Sequence, residues 1–134
     1  MNNTNPLAGS FFSEDIGIEL LEWDNGHSVI ALEITQRLGN RLGMAHGGVI
    51  ATLADQALGL AWRSAAPDRT PGGTINLNIN FISPGKGRLI AEGQLVKLTG
   101  SVAFCEGKIY DEKRELIASA QGAFSARRPK IAGA

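Results

Sequence analysis

Two features nine residues apart carry the chemistry this chain could perform: His46-Gly47-Gly48, and Asp55 within GMAHGGVIATLADQALGLAW, residues 43–62. Glycines at the start of a helix permit tight backbone geometry and let a ligand approach the free N–H groups there. Those N–H groups, with the helix dipole behind them, favour a developing negative charge, which is the logic of an oxyanion hole. Asp55 raises the opposite question. An ionised carboxylate among apolar side chains is costly unless it is paired, hydrogen-bonded or neutralised. No Lys or Arg stands three or four residues away to pair with it. Either the helix has a packing seam whose aspartate bonds a loop, or the two features are parts of an acyl-transfer site.

The spacing adds a constraint. Asp55 shares a helix face with Gly48, Ala51, Thr52 and Gly59, all small, which suggests close approach to another surface or room for a ligand. Gly47 and Asp55 are eight residues apart, about 12 Å along a helix axis. A carbonyl oxygen on the Gly47 N–H therefore cannot have its carbon within ~3 Å of the same chain's Asp55. If two copies pack these helices antiparallel about a two-fold axis, Gly47 of one meets Asp55 of the other. The expectation is an obligate dimer with two composite sites.

The elements that must position these residues read clearly. Residues 16–23 form an expected strand, Asp24-Asn25-Gly26 a tight turn, and HSVIALEIT a second strand opened by His27, a hairpin residue. QRLGNRLGMA is a loop, the helix runs from about Gly48 to Arg63, and SAAPDRTPGG is a second loop. Residues 74–81, TINLNINF, alternate polar and apolar without a miss, the period of a strand with one buried face. RLIAEGQLVKL, VAFCEGKIYD and ELIASAQGAFSA supply three more strands. The order β-β-α-β-β-β-β predicts an α+β fold with an antiparallel sheet wrapped around one long central helix, covered on most sides. One domain over residues 1–134 is expected, with its core at about 14–126.

Composition excludes several function classes. At 43% hydrophobic and 19% charged the chain is globular in type, and thirteen basic residues balance thirteen acidic ones, so a nucleic-acid partner has little electrostatic support. Arg127-Arg128 with Lys130 reads as a solvated tail. The single cysteine, Cys105, lies in an apolar run and fits a small buried hydrophobe in a reducing compartment. His27 and His46 are far apart and far from Cys105, which is unpromising for a metal. The N-terminus lacks the pattern of a signal peptide, and no uncharged apolar run reaches the ~18 residues that span a bilayer. No membrane partner and a cytoplasmic location are expected.

On Asn40, His46-Gly47-Gly48 six residues later, Asp55 within LAD, and the strand TINLNINFISPG, the chain resembles the hotdog-fold acyl-CoA thioesterases over roughly residues 14–126. Within them it is most similar to the phenylacetate-degradation and 4-hydroxybenzoyl-CoA branch. The resemblance implies that Gly47 N–H polarises the thioester carbonyl and that Asn40 orients the thioester or the attacking water. It implies Asp55 of the partner subunit as general base or nucleophile, Thr74 as a residue that helps hold the water, and His46 as one that shapes the loop. Gly48, Thr52, Gly59 and Gly73 are expected against the substrate. Some members carry Glu at the Asp55 position and Thr where this chain has Gly59, and a basic residue where it has Ser101. Lys86, Arg88 and Lys97 are the remaining candidates for the CoA nucleotide. Leu53, Leu58 and Trp62 are possible pocket residues, and the acyl group stays open between aromatic and medium-chain aliphatic acids.

The function expected is hydrolysis of an acyl-CoA thioester by a homodimer or dimer of dimers, with no metal or redox cofactor. The alternatives are a hotdog hydratase or dehydratase, which needs a histidine near a carboxylate, and a non-enzymatic acyl-CoA-binding protein. Sensors of that last kind generally carry a separate DNA-binding segment, and none is expected in the short N-terminus here.

Overall fold

The structure is a computed structural model that describes residues 5–129; Lys130 of the basic tail lies outside them. Along the chain come α1 (Phe11–Ile16), β1 (Glu19–Asp24), β2 (His27–Glu33), a 3-10 turn (Gln36–Leu38), α2 (Gly47–Ala65), β3 (Thr70–Phe81), β4 (Arg88–Leu98), β5 (Val102–Tyr110) and β6 (Leu116–Arg127). The strands form one antiparallel sheet in the order β1-β2-β4-β5-β6-β3. It curls around α2, which contacts all six strands. No helix among the described residues is long and apolar enough to cross a membrane.

Local chemistry explains the framework. Asn25 and Gly26, at φ 48° and 81°, make the two-residue turn that pairs Asp24 with His27, as a primed hairpin turn requires. Where α2 presses on the sheet, the facing row is Ser28, Gly93, Gly107 and Ala120, paired in register across β2, β4, β5 and β6. A β-carbon at Gly93 would collide with the Ala57 carbonyl, and one at Gly107 would stand 2.7 Å from Leu58 Cδ1. Ser28 Oγ donates to that same Ala57 carbonyl at 2.6 Å, so the helix is drawn against the sheet there. Leu53, Leu60, Ala61 and Trp62 fill the interior on either side. Cys105 is buried, which pushes its thiol up to about 12 against a smaller opposing pull from the Trp62 backbone.

Several expectations change. Ile16 closes α1, and β1 begins only at Glu19. The unanticipated α1 is six residues long, too short to display a helical period, and ends at Gly17 in the left-handed conformation (φ 92°). The second loop is shorter than expected, because β3 already begins at Thr70. β3 is an edge strand whose apolar row is only partly covered: Leu77 and Ile79 are half-buried against the core, while Ile75 and Phe81 are 58% and 60% exposed. The helix α2 is covered along its length as expected: every residue from Val49 to Ser64 is buried or half-buried. The sheet's two edges, β1 and β3, do not pair with each other, and on the face of α2 that carries Asp55, Gly48 is exposed while Thr52 and Gly59 are half-buried. Asp55 is likewise half-buried rather than enclosed.

Candidate active site

The start of α2 accounts for its N–H groups one by one. His46 is the N-cap, with extended backbone (φ −60°, ψ 141°), and its Nδ1 accepts the Gly48 N–H at 2.9 Å. The His46 carbonyl takes the Val49 and Ile50 N–H groups at 2.9 and 3.2 Å. Of the four N–H groups a helix leaves over at this end, only that of Gly47 has no acceptor among the described residues. Gly47 is exposed, and the Phe81 ring lies close by.

Beside it, Asn40 Oδ1 accepts the Leu42 and Met44 N–H groups at 2.9 and 3.2 Å, and the Asn40 N–H donates to the Met44 carbonyl at 2.7 Å. With its carbonyl engaged in holding the loop, the group Asn40 has left to offer is its amide donor. Asn40, Gly47, Phe81 and Ile82 line a cleft of ≈ 330 Å³ at this end of the helix. Phe81 and Ile82 were not foreseen as site residues, because their exposure follows from the edge position of β3 and not from its alternation.

About two turns further along α2, Thr74 Oγ1 donates to Asp55 Oδ1 at 2.6 Å. The bond fixes the carboxylate and leaves Oδ2 for another partner. Gly73, next to Thr74 in an irregular part of the β3–β6 ladder, has open space where a side chain would stand. Gly59 lets the Phe124 ring approach α2. Thr52 turns its hydroxyl back to the Gly48 carbonyl at 2.9 Å. Gln56, the residue after Asp55, accepts at Oε1 from the buried Ser13 of α1 at 2.8 Å, a link with no signal in the sequence.

The structure therefore joins the expected residues in two groups, Asn40, His46, Gly47 and Gly48 at the helix start, and Asp55, Thr74 and Gly73 beyond it. Within one chain it does not join the groups to each other. Leu53, Leu58 and Trp62 are buried in the interior, not on the face that carries Asp55. Arg88 is engaged by Glu19 at 2.7 Å, whose carboxyl the guanidinium holds below its ordinary range; Lys86 and Lys97 stand exposed.

The chain matches the thioesterase superfamily over residues 42–118, which include the helix, β3 and β4. It is 33% identical over 96 residues to a protein of Halobacterium salinarum named as a candidate esterase, an alignment covering 68% of this chain and 64% of that one. The 1,4-dihydroxy-2-naphthoyl-CoA hydrolase of Listeria monocytogenes is 32% identical over 106 residues, or 78% of this chain and 85% of its own. In three dimensions the chain superimposes on the Escherichia coli PaaI protein of the phenylacetic acid degradation operon with a TM-score of 0.82 at 22% identity, covering 92% of this chain and 88% of the other, which shows a common fold. The chain belongs to the thioesterase superfamily and has its hotdog fold.

Proposed function

We propose that this protein hydrolyses an acyl-CoA thioester to free acid and thiol in a composite site shared by two copies of the chain. The observation that carries the reading is the single unpartnered N–H of Gly47 at the start of α2, matched by a carboxylate on the same helix that it cannot serve within one chain. The thioester carbonyl oxygen sits on the Gly47 N–H with the Asn40 amide beside it, and its carbon becomes more electrophilic as negative charge builds on the oxygen. Asp55 of the second copy faces that carbon, its Oδ1 held by Thr74. Its free oxygen either removes a proton from the attacking water or attacks directly, forming an anhydride that water then opens. In both routes the thiolate leaves and takes up a proton.

His46 acts as the cap that holds the helix start. Its Nδ1 is an acceptor committed to Gly48, which weighs against the hydratase reading, where the imidazole shuttles the proton. The match to an acyl-CoA hydrolase over 85% of that relative's length supports the substrate class. The test is thiol release from a panel of aryl- and alkyl-CoA thioesters by the wild-type chain and by Asp55→Asn. Turnover that falls by about 10²–10⁴ in the variant supports the reading. Binding without turnover in the wild type, or an unimpaired variant, refutes it.

A further inference from the structure

The start of β3, which carries Thr74, has two breaks in its register with β6. Thr70 and Pro71 lie opposite Arg127 and Ala126, and the next pair is Thr74 with Phe124. Gly72 and Gly73 therefore stand opposite Ser125 alone, and Ile75 has no counterpart before the ladder resumes at Asn76 and Ala123. Extra residues of this kind leave backbone groups unpaired and bend the strand. Pro71 adds to the deficit because it has no N–H to give. Gly72 is pressed so close to β6 that a β-carbon there would stand 2.5 Å from the Ser125 side chain. Within one chain β3 is also an edge strand, so β6 is its only ladder partner.

Arg69, immediately before this stretch, supplies bonds that the ladder lacks. Its Nη1 donates to the Thr99 and Ala126 carbonyls, both at 2.9 Å, and to the Gly100 carbonyl at 3.3 Å. Ala126 is the register partner of Pro71, and its own N–H donates to the Ser101 carbonyl at 2.8 Å. One guanidinium thus fastens the entry to β3 both to the end of β6 and to the turn between β4 and β5. The Arg69 N–H donates to the Ala66 carbonyl at 3.1 Å, which ties the same residue to the end of α2. Hydrogen bonds from a charged donor are about twice as strong as neutral ones. Arg69 is half-buried and has no carboxylate partner among the described residues, so its donors go to backbone.

We infer that Arg69 is a positioning residue: by fastening the entry to β3, it holds Thr74 against Asp55. Thr74 is paired between two breaks, with glycines on one side that restrain the backbone little. Its hydroxyl stays 2.6 Å from Asp55 Oδ1 only while both flanks are fixed. From Asn76 to Phe81 a regular ladder fixes one flank. Arg69 fixes the other. The inference rests on the thioesterase reading only for its kinetic consequence.

Two measurements on Arg69→Met test it. Hydrogen-exchange mass spectrometry needs no substrate, and the amides of residues 72–75 are expected to exchange about tenfold faster than in the wild type, while those of 76–81 keep their rate. In thiol release from an acyl-CoA thioester, kcat is expected to fall about 3- to 30-fold with KM little changed. Adding Arg69→Met to Thr74→Val should lower kcat no further, because both changes remove the same contact. Arg69→Lys keeps the charge but not the planar fork; it should shift both readouts less, in the same direction, and serves if Arg69→Met fails to fold. Unchanged exchange at residues 72–75 overturns the inference, as does a kcat that falls equally in the wild-type and Thr74→Val backgrounds. A wild-type chain that releases no thiol from any thioester refutes the hydrolase reading instead, and the exchange rates then decide the role of Arg69.

Discussion

Thr74 and Asp55, nineteen residues apart in sequence, meet through a 2.6 Å hydrogen bond in which the hydroxyl donates to the carboxylate. The bond ties the edge strand β3 to the half-buried face of α2 and sets the direction in which Asp55 presents its second oxygen. In the proposed reaction this half-buried carboxylate, held by one hydroxyl, would take a proton from water or attack the carbonyl carbon of a thioester bound by a second copy.

Removal of that hydroxyl with the shape kept should therefore lower turnover without harming the fold. Thr74→Val is expected to reduce kcat about 10- to 100-fold, the range for loss of a hydrogen bond to a charged group, with KM little changed. Thr74→Ser should restore most of it. Steady-state kinetics on one acyl-CoA thioester checks this, and equal rates in Thr74→Val and wild type would count against the role.

Gly47→Pro isolates the orphan N–H. Proline lacks that donor yet is well accepted at the first position of a helix, and the extended His46 backbone before it is what proline requires. A β-carbon at Gly47 meets only the Phe81 ring, at 3.7 Å, an ordinary contact. The variant should melt near the wild-type temperature and lose about 10²–10³ in kcat, the usual effect of losing one oxyanion donor. Thermal unfolding beside kinetics separates the two effects.

His46 should behave as a cap and not as a proton carrier. His46→Ala is expected to cost about 1 kcal/mol, read as a fall of a few degrees in Tm, together with reduced activity. His46→Asn, which supplies a capping oxygen but no titrating imidazole, should recover both stability and activity. Full stability with activity still lost in His46→Asn would assign proton transfer to the imidazole.

Much of the fold was legible because the sequence writes its punctuation strongly. Asn25-Gly26, Thr99-Gly100-Ser101 and the glycines of residues 39–48 separate the segments, and β4 runs over the residues its pattern marks, Arg88–Leu98. The six residues of α1 complete fewer than two helical turns, so no period could reveal them. The half-buried face of α2 was harder to see, because apolar composition reports hydrophobicity and not which side packs least tightly. The small residues Gly48, Thr52 and Gly59 around Asp55 mark that face. At the site, the resemblance implied His46 as a residue that shapes the loop, and its Nδ1 caps Gly48. The commitment of Asn40 Oδ1 to its own loop, and of Gln56 to Ser13, depends on side-chain directions that no spacing encodes.

The central claim is that Gly47 and Asp55 act on one thioester from different chains. It is tested most directly by combining Gly47→Pro and Asp55→Asn chains by co-refolding and measuring thiol release, with mixed particles confirmed by native mass spectrometry. A mixed dimer holds one site with both groups intact and one with neither, so random assembly should return about a quarter of wild-type activity from two nearly inactive parents. Mixed particles no more active than those parents would contradict the account.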